Sequence, residues 1–340
     1  MMPYLGDLAQ WAFLSAEDFS HRFADPFLQK AVSLMFGWPE IPMMAAISML
    51  SYMDEGNAGF PAGGSLAFAR ALEQRYKELG GEIFYESQVA NILVKDDVAV
   101  CVHLYDDREF FADQVISAAD GRGTIFDLLG GKYVNRQLKN IYDDRLPLHS
   151  QVQVSLGVKR DLCREPAWVI HLFDQPFTFL TDKRNMLSVK HFCFDPTLAP
   201  KGKSVVEMFL RYNYDYFQRI YGRRVYDSEQ DQLASQVIDQ LEKIYPGIRA
   251  DVEMIDVATP LSYERYTGNW KGSSCGWLPT NHTMRYNMFG MKKTLPGLRN
   301  FRMAGQCVEP GGSVALCAAS GRNAVQSICH GDGVDFKFSL

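Results

Sequence analysis

The chain has 340 residues, 47% of them hydrophobic and 22% charged, with a formal net charge of −5. Single hydrophobic cores seldom outgrow roughly 250 to 300 residues, so this length predicts two domains. The mild acidity leaves no basic footprint for nucleic acid.

Seven cysteines, at 101, 163, 193, 275, 307, 317 and 329, include no C-x-x-C and are odd in number. They read as reduced thiols in a cytoplasmic protein rather than as a disulfide framework. The start, "MMPYLGDLAQWAFLSAEDF", has no basic n-region and is not a secretory signal. The longest apolar stretch, Ile41 to Met53, falls short of the ~20 residues that span a bilayer.

The first sixty residues are helical in character, with Trp11, Phe13, Phe19, Phe23, Phe27, Leu34 and Phe36 spaced for burial. Met35, Met43, Met44, Met49 and Met53 are core by the plain reading and an adaptable wall for a long apolar ligand by the functional one. After the break "FPAGGS", Leu66, Ala69, Leu72 and Tyr76 keep helical spacing up to a Gly80-Gly81 stop. Three short strands follow, near 89 to 95, 98 to 105 and 109 to 118. Asp-rich turns join them into a β-meander. From about Leu146 to Leu261, strand-like runs ("HSQVQVSLGV", "SVVEMFLRY") surround one clear helix, "DSEQDQLASQVIDQLEKI", with Asp227 or Ser228 as its cap.

Two motifs are decoys. "GRGTIF" at 121 to 126 lacks the third glycine of a dinucleotide fingerprint, because Phe126 stands there, and reads as a turn. "GSSCG" at 272 to 276 offers Ser274 as a nucleophile, with Glu309 and His330 following in hydrolase order. It lacks the strand-turn-helix setting of a nucleophile elbow. His191 and Cys193 have no second pair at ligand spacing, so no metal site is expected.

The last block, "AGQCVEPGGSVALCAASGRNA", breaks the chain with Pro310, Gly311 and Gly312 just before a helix-like run. Such a loop turns backbone N–H groups and a helix N-terminus toward an anionic or electron-rich ligand. Together with "FPAGGSLAFARAL", "ADQVISAADGRGTIFDLLGGKY" and "TPLSYERYTGNWKGSSCGW", in that order and spacing, it resembles the phytoene desaturase, carotenoid isomerase and retinol saturase group of FAD-dependent oxidoreductases, in the amine oxidase superfamily. The resemblance runs from about Asp25 to Cys329 and is most specific in the final block.

The resemblance implies α/β and α+β architecture: the C-terminal part of a discontinuous Rossmann-like FAD/NAD(P)-binding domain with its meander (61–145 and 293–332), plus a mixed α+β substrate domain (1–60 and 146–292). It places the strand 300 to 305 beside 115 to 119. It implies FAD contacts at Val89, Ala118, Ala119, Gly305, Gln306, Pro310, Gly311, Gly312, Ser313 and Val314, with Gln306 in place of an acidic residue common in related flavoproteins. Tyr263, Arg265, Tyr266, Trp270 and Trp277 become candidate lining for a long apolar polyene or isoprenoid lipid, although domain-interface packing accounts for the same aromatics. The lipid pocket is expected to be mostly apolar, lined by Met43 to Met53, the 205 to 212 strand and the 263 to 277 segment. No residue stands out as a catalytic acid or base.

The sequence departs from the family at its start, where no G-x-G-x-x-G precedes the first helix. The expectations are a truncated member, a misplaced start or one half of a two-chain enzyme. FAD binding by this chain alone is then weak, self-association follows from an uncovered edge, and membrane contact is peripheral. Outside flavoenzymes, a non-catalytic remnant that binds a partner chain or lipid, and a serine hydrolase using Ser274, are the alternatives.

Overall fold

The computed structural model describes residues 10–337 except 36, 146, 224 and 310. The helices are α1 (Ala16–Ser20), α2 (Pro26–Leu34), α3 (Met43–Asp54), α4 (Gly64–Glu78), α5 (Arg136–Asn140), α6 (Tyr214–Gly222), α7 (Tyr226–Ile244), α8 (Ile248–Asp251), α9 (Pro260–Thr267), α10 (Met284–Phe289) and α11 (Val314–Gly331). The chain divides into two units, residues 1–50, 84–149 and 266–340 in the first and 51–83 and 150–265 in the second.

In the first unit, short helices open the chain because their ends are capped by side chains. Ser15 Oγ accepts from Asp18 N–H ahead of α1, and Asp25 accepts from Phe27 and Leu28 ahead of α2. They close over a small cluster of Ala16, Ile41, Met43 and Ala46. The burial expected of the aromatic row holds only in part. Trp11 and Phe19 pack against this cluster, but Phe13 and Phe27 are 56% and 67% exposed. Phe36 lies outside the described residues.

The meander is present as β1 (Val89–Lys95), β2 (Val98–Leu104) and β3 (Glu109–Phe111), antiparallel in that order. Asp96 and Asp97 make its first turn, both at positive φ. That is the mirror-image turn whose twist matches a two-residue hairpin. The expected third strand is two: after Asp113 the chain leaves the meander, and β4 (Val115–Ser117) pairs in parallel with β11 (Phe301–Met303), Val115 opposite Phe301. "GRGTIF" is not a turn but opens a π-helical segment, Gly123–Leu128, which buries Ile125 beside Val115, Phe301 and Met303. Strand β10 (Ser273–Trp277) lies beside the start of strand β5 (Leu148–Val158), where Leu278 N–H donates to the Pro147 carbonyl.

The second unit is built on an antiparallel sheet of β5 (Leu148–Val158), β6 (Trp168–Phe179), β7 (Asp182–His191), β8 (Ser204–Arg211) and β9 (Val252–Ala258), ordered β9-β5-β8-β7-β6. Val152, Val154, Leu156 and Val158 in β5, with Val206, Met208 and Leu210 in β8, alternate inward and cover one face with apolar side chains. Helix α7 packs Leu233, Val237 and Leu241 into the same core at four-residue spacing. Its cap position is Val225, which makes no side-chain bond. Ser228, one of the two expected caps, donates instead to the Val225 carbonyl from inside the first turn. Helix α4 forms where the spacing predicts it, yet none of its residues is buried and Leu66 is 62% exposed.

Candidate functional site at the ends of β4 and β11

Parallel pairing brings the C-terminal ends of both strands to one edge, the position at which open α/β sheets hold ligands. The ladder extends by one bond, Ala304 N–H to the Ser117 carbonyl at 2.8 Å. The two chains then separate into the turns 118–121 and 304–313. Gly305 turns at φ +90°, where its N–H donates to Ser320 Oγ at 2.6 Å, so α11 is tied to the strand end. A Cβ on Gly305 would lie 3.5 Å from the Ala118 carbonyl. Val308 and Glu309 N–H groups both donate to the Gly305 carbonyl and tighten the loop.

Strand β10 forms the other wall. A Cβ on Gly276 would meet the Gln306 carbonyl oxygen at 2.9 Å, and one on Gly312 would meet Cys275 Cβ at 2.4 Å. Helix α11 starts directly after, and its first-turn N–H groups include that of Leu316, which donates to the Ser313 hydroxyl at 3.4 Å. Ala118, Ala119, Gly305, Gln306, Gly311, Gly312, Ser313 and Val314 thus fall on the two loops that leave one sheet edge. Pro310 lies outside the described residues. Val89 begins β1 opposite Leu104.

Sequence reasoning missed the groups beneath these loops. Ser117 and Thr124 share a buried hydroxyl bond of 2.8 Å, and Asp120 accepts from Gly123 N–H at 2.8 Å. Gly121 N–H donates to Cys307 Sγ at 3.1 Å, and a Cβ on Gly121 would sit 2.2 Å from the Tyr142 hydroxyl. Burial first, and the Asp120 carboxylate second, push the Cys307 thiol up to about 12. Burial raises the Tyr142 phenol as well, with Cys307 and Asp120 adding to it. Both groups are therefore neutral across ordinary pH and supply no nucleophile. The buried indole of Trp277 packs edge-on against Tyr142 at 5.4 Å, and its Nε1–H has no hydrogen-bond partner among the described residues.

The proposed lining residues divide between the two units. Trp270 carries the Arg122 guanidinium over its ring at 5.3 Å, and Tyr266 is 80% exposed. Tyr263 donates to Gln153 in the second unit, where Arg265 is the last residue. Ser274 does meet an imidazole, that of His149 at 2.9 Å, but its hydroxyl donates to the His149 carbonyl at 3.1 Å. With its proton on that carbonyl the hydroxyl is not donating to the imidazole, as a general base requires. Glu309 pairs with Lys293, and His330 lies in the last turn of α11. The hydrolase order of the three residues is not a constellation.

Residues 5–329 match the family described as flavin containing amine oxidoreductase. Among individual proteins, the chain is 26% identical to prolycopene isomerase 1, chloroplastic, of an Oncidium hybrid cultivar, over 98% of this chain and 56% of that protein. It is 25% identical to a lycopene-forming phytoene desaturase of Pseudescherichia vulneris, over 77% of this chain and 55% of the other. The chain spans about half the length of these relatives. Its fold resembles the crystal structure of an oxidoreductase from Methanosarcina mazei with a TM-score of 0.61 and 17% identity, covering 93% of this chain and 68% of that one.

The residues at this edge are compatible with a flavin nucleotide. Gly276 and Gly312 let the loop pack on β10 more closely than a Cβ would allow, Gly305 turns at φ +90°, the adjoining thiol and phenol are uncharged, and a helix N-terminus follows the same loop. No helix among the described residues is long and apolar enough to cross a membrane.

Proposed function

Because the chain belongs to the flavin containing amine oxidoreductase family, we propose that it is an FAD-dependent oxidoreductase whose cofactor lies along the edge where β4 and β11 end. The observation that carries this reading is the parallel pair itself, which delivers two glycine-shaped turns and the start of α11 to one place. Bound FAD supplies hydride acceptance and return, chemistry that side chains lack. The chain's own residues do the rest. Gly305 and Gly312 let backbone approach the cofactor, and Ala118 and Ala119 present the neighbouring turn. The first turn of α11 offers N–H donors and positive potential to negative charge. Gln306, Gly311, Ser313 and Val314 complete that contact.

The substrate proposed is a long apolar polyene or isoprenoid lipid, desaturated, saturated or isomerised. The printed activities of the isomerase and the desaturase support that class. Trp270, Trp277, Tyr266 and Arg265 are the proposed contacts, and peripheral attachment to a bilayer delivers the lipid. The matching partner proposal is a further FAD-binding segment or chain.

Titrating FAD into the purified chain tests the cofactor site. The expected result is weak but saturable quenching of flavin fluorescence, weakened further by Ser313→Ala and abolished by Gly305→Val, with Ser274→Ala unchanged. Quenching that ignores both loop variants, or stoichiometric labelling of Ser274 by a fluorophosphonate, overturns the reading. Flotation with polyene-loaded liposomes tests the lipid, and a protein left wholly in the aqueous layer refutes that part.

A further inference from the structure

In the second unit, the loop that leaves β5 and the turn that leaves β7 bring two sulfurs and a carboxylate together. The Asp161 carboxylate, Cys163 Sγ and Cys193 Sγ lie within 4.8 Å of one another. We propose that Asp161, Cys163 and Cys193 form a binding site for a thiophilic divalent cation of the zinc class.

The local chain holds the three groups in place. Asp161 Oδ1 accepts from Cys163 N–H at 2.9 Å, so one short turn sets the relation of carboxylate to sulfur. Cys163 Sγ sits 3.5 Å from the Cys193 carbonyl, across from the β7 end. Ser204 Oγ ties the two segments together. It accepts from Leu162 N–H at 3.1 Å, donates to the Arg160 carbonyl at 2.6 Å and touches Cys193 Sγ at 3.1 Å. Buried His191 fixes the turn from beneath, with Nδ1 accepting from Cys193 N–H and Nε2 facing the Glu165 carbonyl. His191 is therefore a support rather than a ligand, since both ring nitrogens are engaged.

The donor set decides the kind of ion. Two thiolates favour soft or borderline metals over magnesium or calcium, and one carboxylate is compatible with zinc. Metal–sulfur bonds of about 2.3 Å in a tetrahedron put sulfurs roughly 3.7 Å apart. The present spacing needs a contraction of no more than about 1 Å, within reach of rotation at exposed Cys163. Three protein ligands leave the fourth position to water. Binding takes one proton from each thiol as the metal–sulfur bonds form, so affinity falls as pH falls.

The clip has a mechanical consequence. The Cys193 turn continues into Asp195, whose carboxylate accepts from Gly63 N–H at 2.7 Å, and Phe194 stacks on Phe60 at 5.1 Å. A cation at Cys193 therefore steadies the turn that holds the entry to α4.

Titrating cobalt(II) into the full chain, purified metal-free under reducing conditions, tests the site. The expected result is one equivalent bound, with a thiolate-to-metal charge-transfer band, tetrahedral d–d absorption and displacement by zinc. Cys163→Ser and Cys193→Ser abolish the band, Asp161→Asn weakens binding by about 10-fold, and Cys329→Ser leaves it intact. Zinc should raise the thermal midpoint of the parent chain but not of Cys163→Ser, whose circular dichroism serves as the folding control. A missing thiolate band, a band that survives Cys163→Ser, or thiols recovered by dithiothreitol but not by a chelator overturns the proposal. The last of these outcomes identifies a disulfide instead.

Discussion

Gly312→Ala is the sharpest test of the way β10 shapes the proposed cofactor edge. The new methyl meets Cys275 Cβ at 2.4 Å and Cys275 Cα at 3.2 Å, and the residue sits at φ +65°. The left-handed backbone alone costs an L-residue about 1–2 kcal/mol. Relief of the overlap moves β10 or the loop by about an ångström and adds roughly 1–3 kcal/mol. The expected loss is the sum of the two, about 2–5 kcal/mol, read from urea denaturation by tryptophan fluorescence. Cys275→Gly removes the atom that collides, so Gly312→Ala in that background should cost only the backbone share, near 1–2 kcal/mol. A Gly312→Ala protein within about 0.5 kcal/mol of the parent, or one that loses the same amount in both backgrounds, refutes the close approach of loop and strand.

Phe301 is fully buried at the β4–β11 pair, so Phe301→Ala should cost about 3–5 kcal/mol and abolish FAD quenching with it; a folded variant that keeps full affinity sinks the site assignment. Trp277→Phe deletes a buried N–H that has no partner among the described residues but also shrinks the buried ring, so a relief of about 1–3 kcal/mol offsets a cavity cost of similar size and stability should stay within about 2 kcal/mol of the parent. A larger loss in urea denaturation refutes the unpaired donor. The Thr197 hydroxyl, Thr197 N–H and Gly63 N–H hold the Asp195 carboxyl below its ordinary value. The carboxylate's contribution is present above the unfolded pKa, about 3.9, and is lost as pH falls through the lower folded value. Asp195→Asn should flatten that acid limb in urea midpoints measured from pH 6 to pH 3, and an unchanged limb refutes the linkage.

How far the sequence was legible depended on whether a residue's role was local. The β1–β2 hairpin follows from Asp96-Asp97 between alternating runs, and α7 from its four-residue spacing, because both record neighbours in the chain. The pairing of 115–117 with 301–303 was legible only through the family resemblance, since no local period links strands so far apart. Gly121 was misread as part of a turn. What it must accommodate is the Tyr142 hydroxyl and Cys307, brought by other elements. The partner of Ser274 was missed for the same reason: His149 follows no motif spacing and meets it only because β10 lies beside the start of β5. The helical spacing of Leu66, Ala69, Leu72 and Tyr76 predicted α4 correctly but carried no information on its exposure, because spacing marks an apolar face and not what covers it.

The parallel join at β4 and β11 also sets an order of events in time. Gly121 and Cys307, which meet beside the β4–β11 pair, are 186 residues apart in sequence, whereas Ser117 and Thr124 beside them are seven apart. Closing the longer loop costs roughly 3 kcal/mol more in chain entropy by the logarithmic law, and parallel strands offer no hairpin to nucleate it. The meander and the β5–β8 sheet rest on much shorter separations and form first. On a ribosome the β4–β11 join therefore assembles after the meander and the β5–β8 sheet, once β11 has emerged, and until then the β4 strand waits with an open edge.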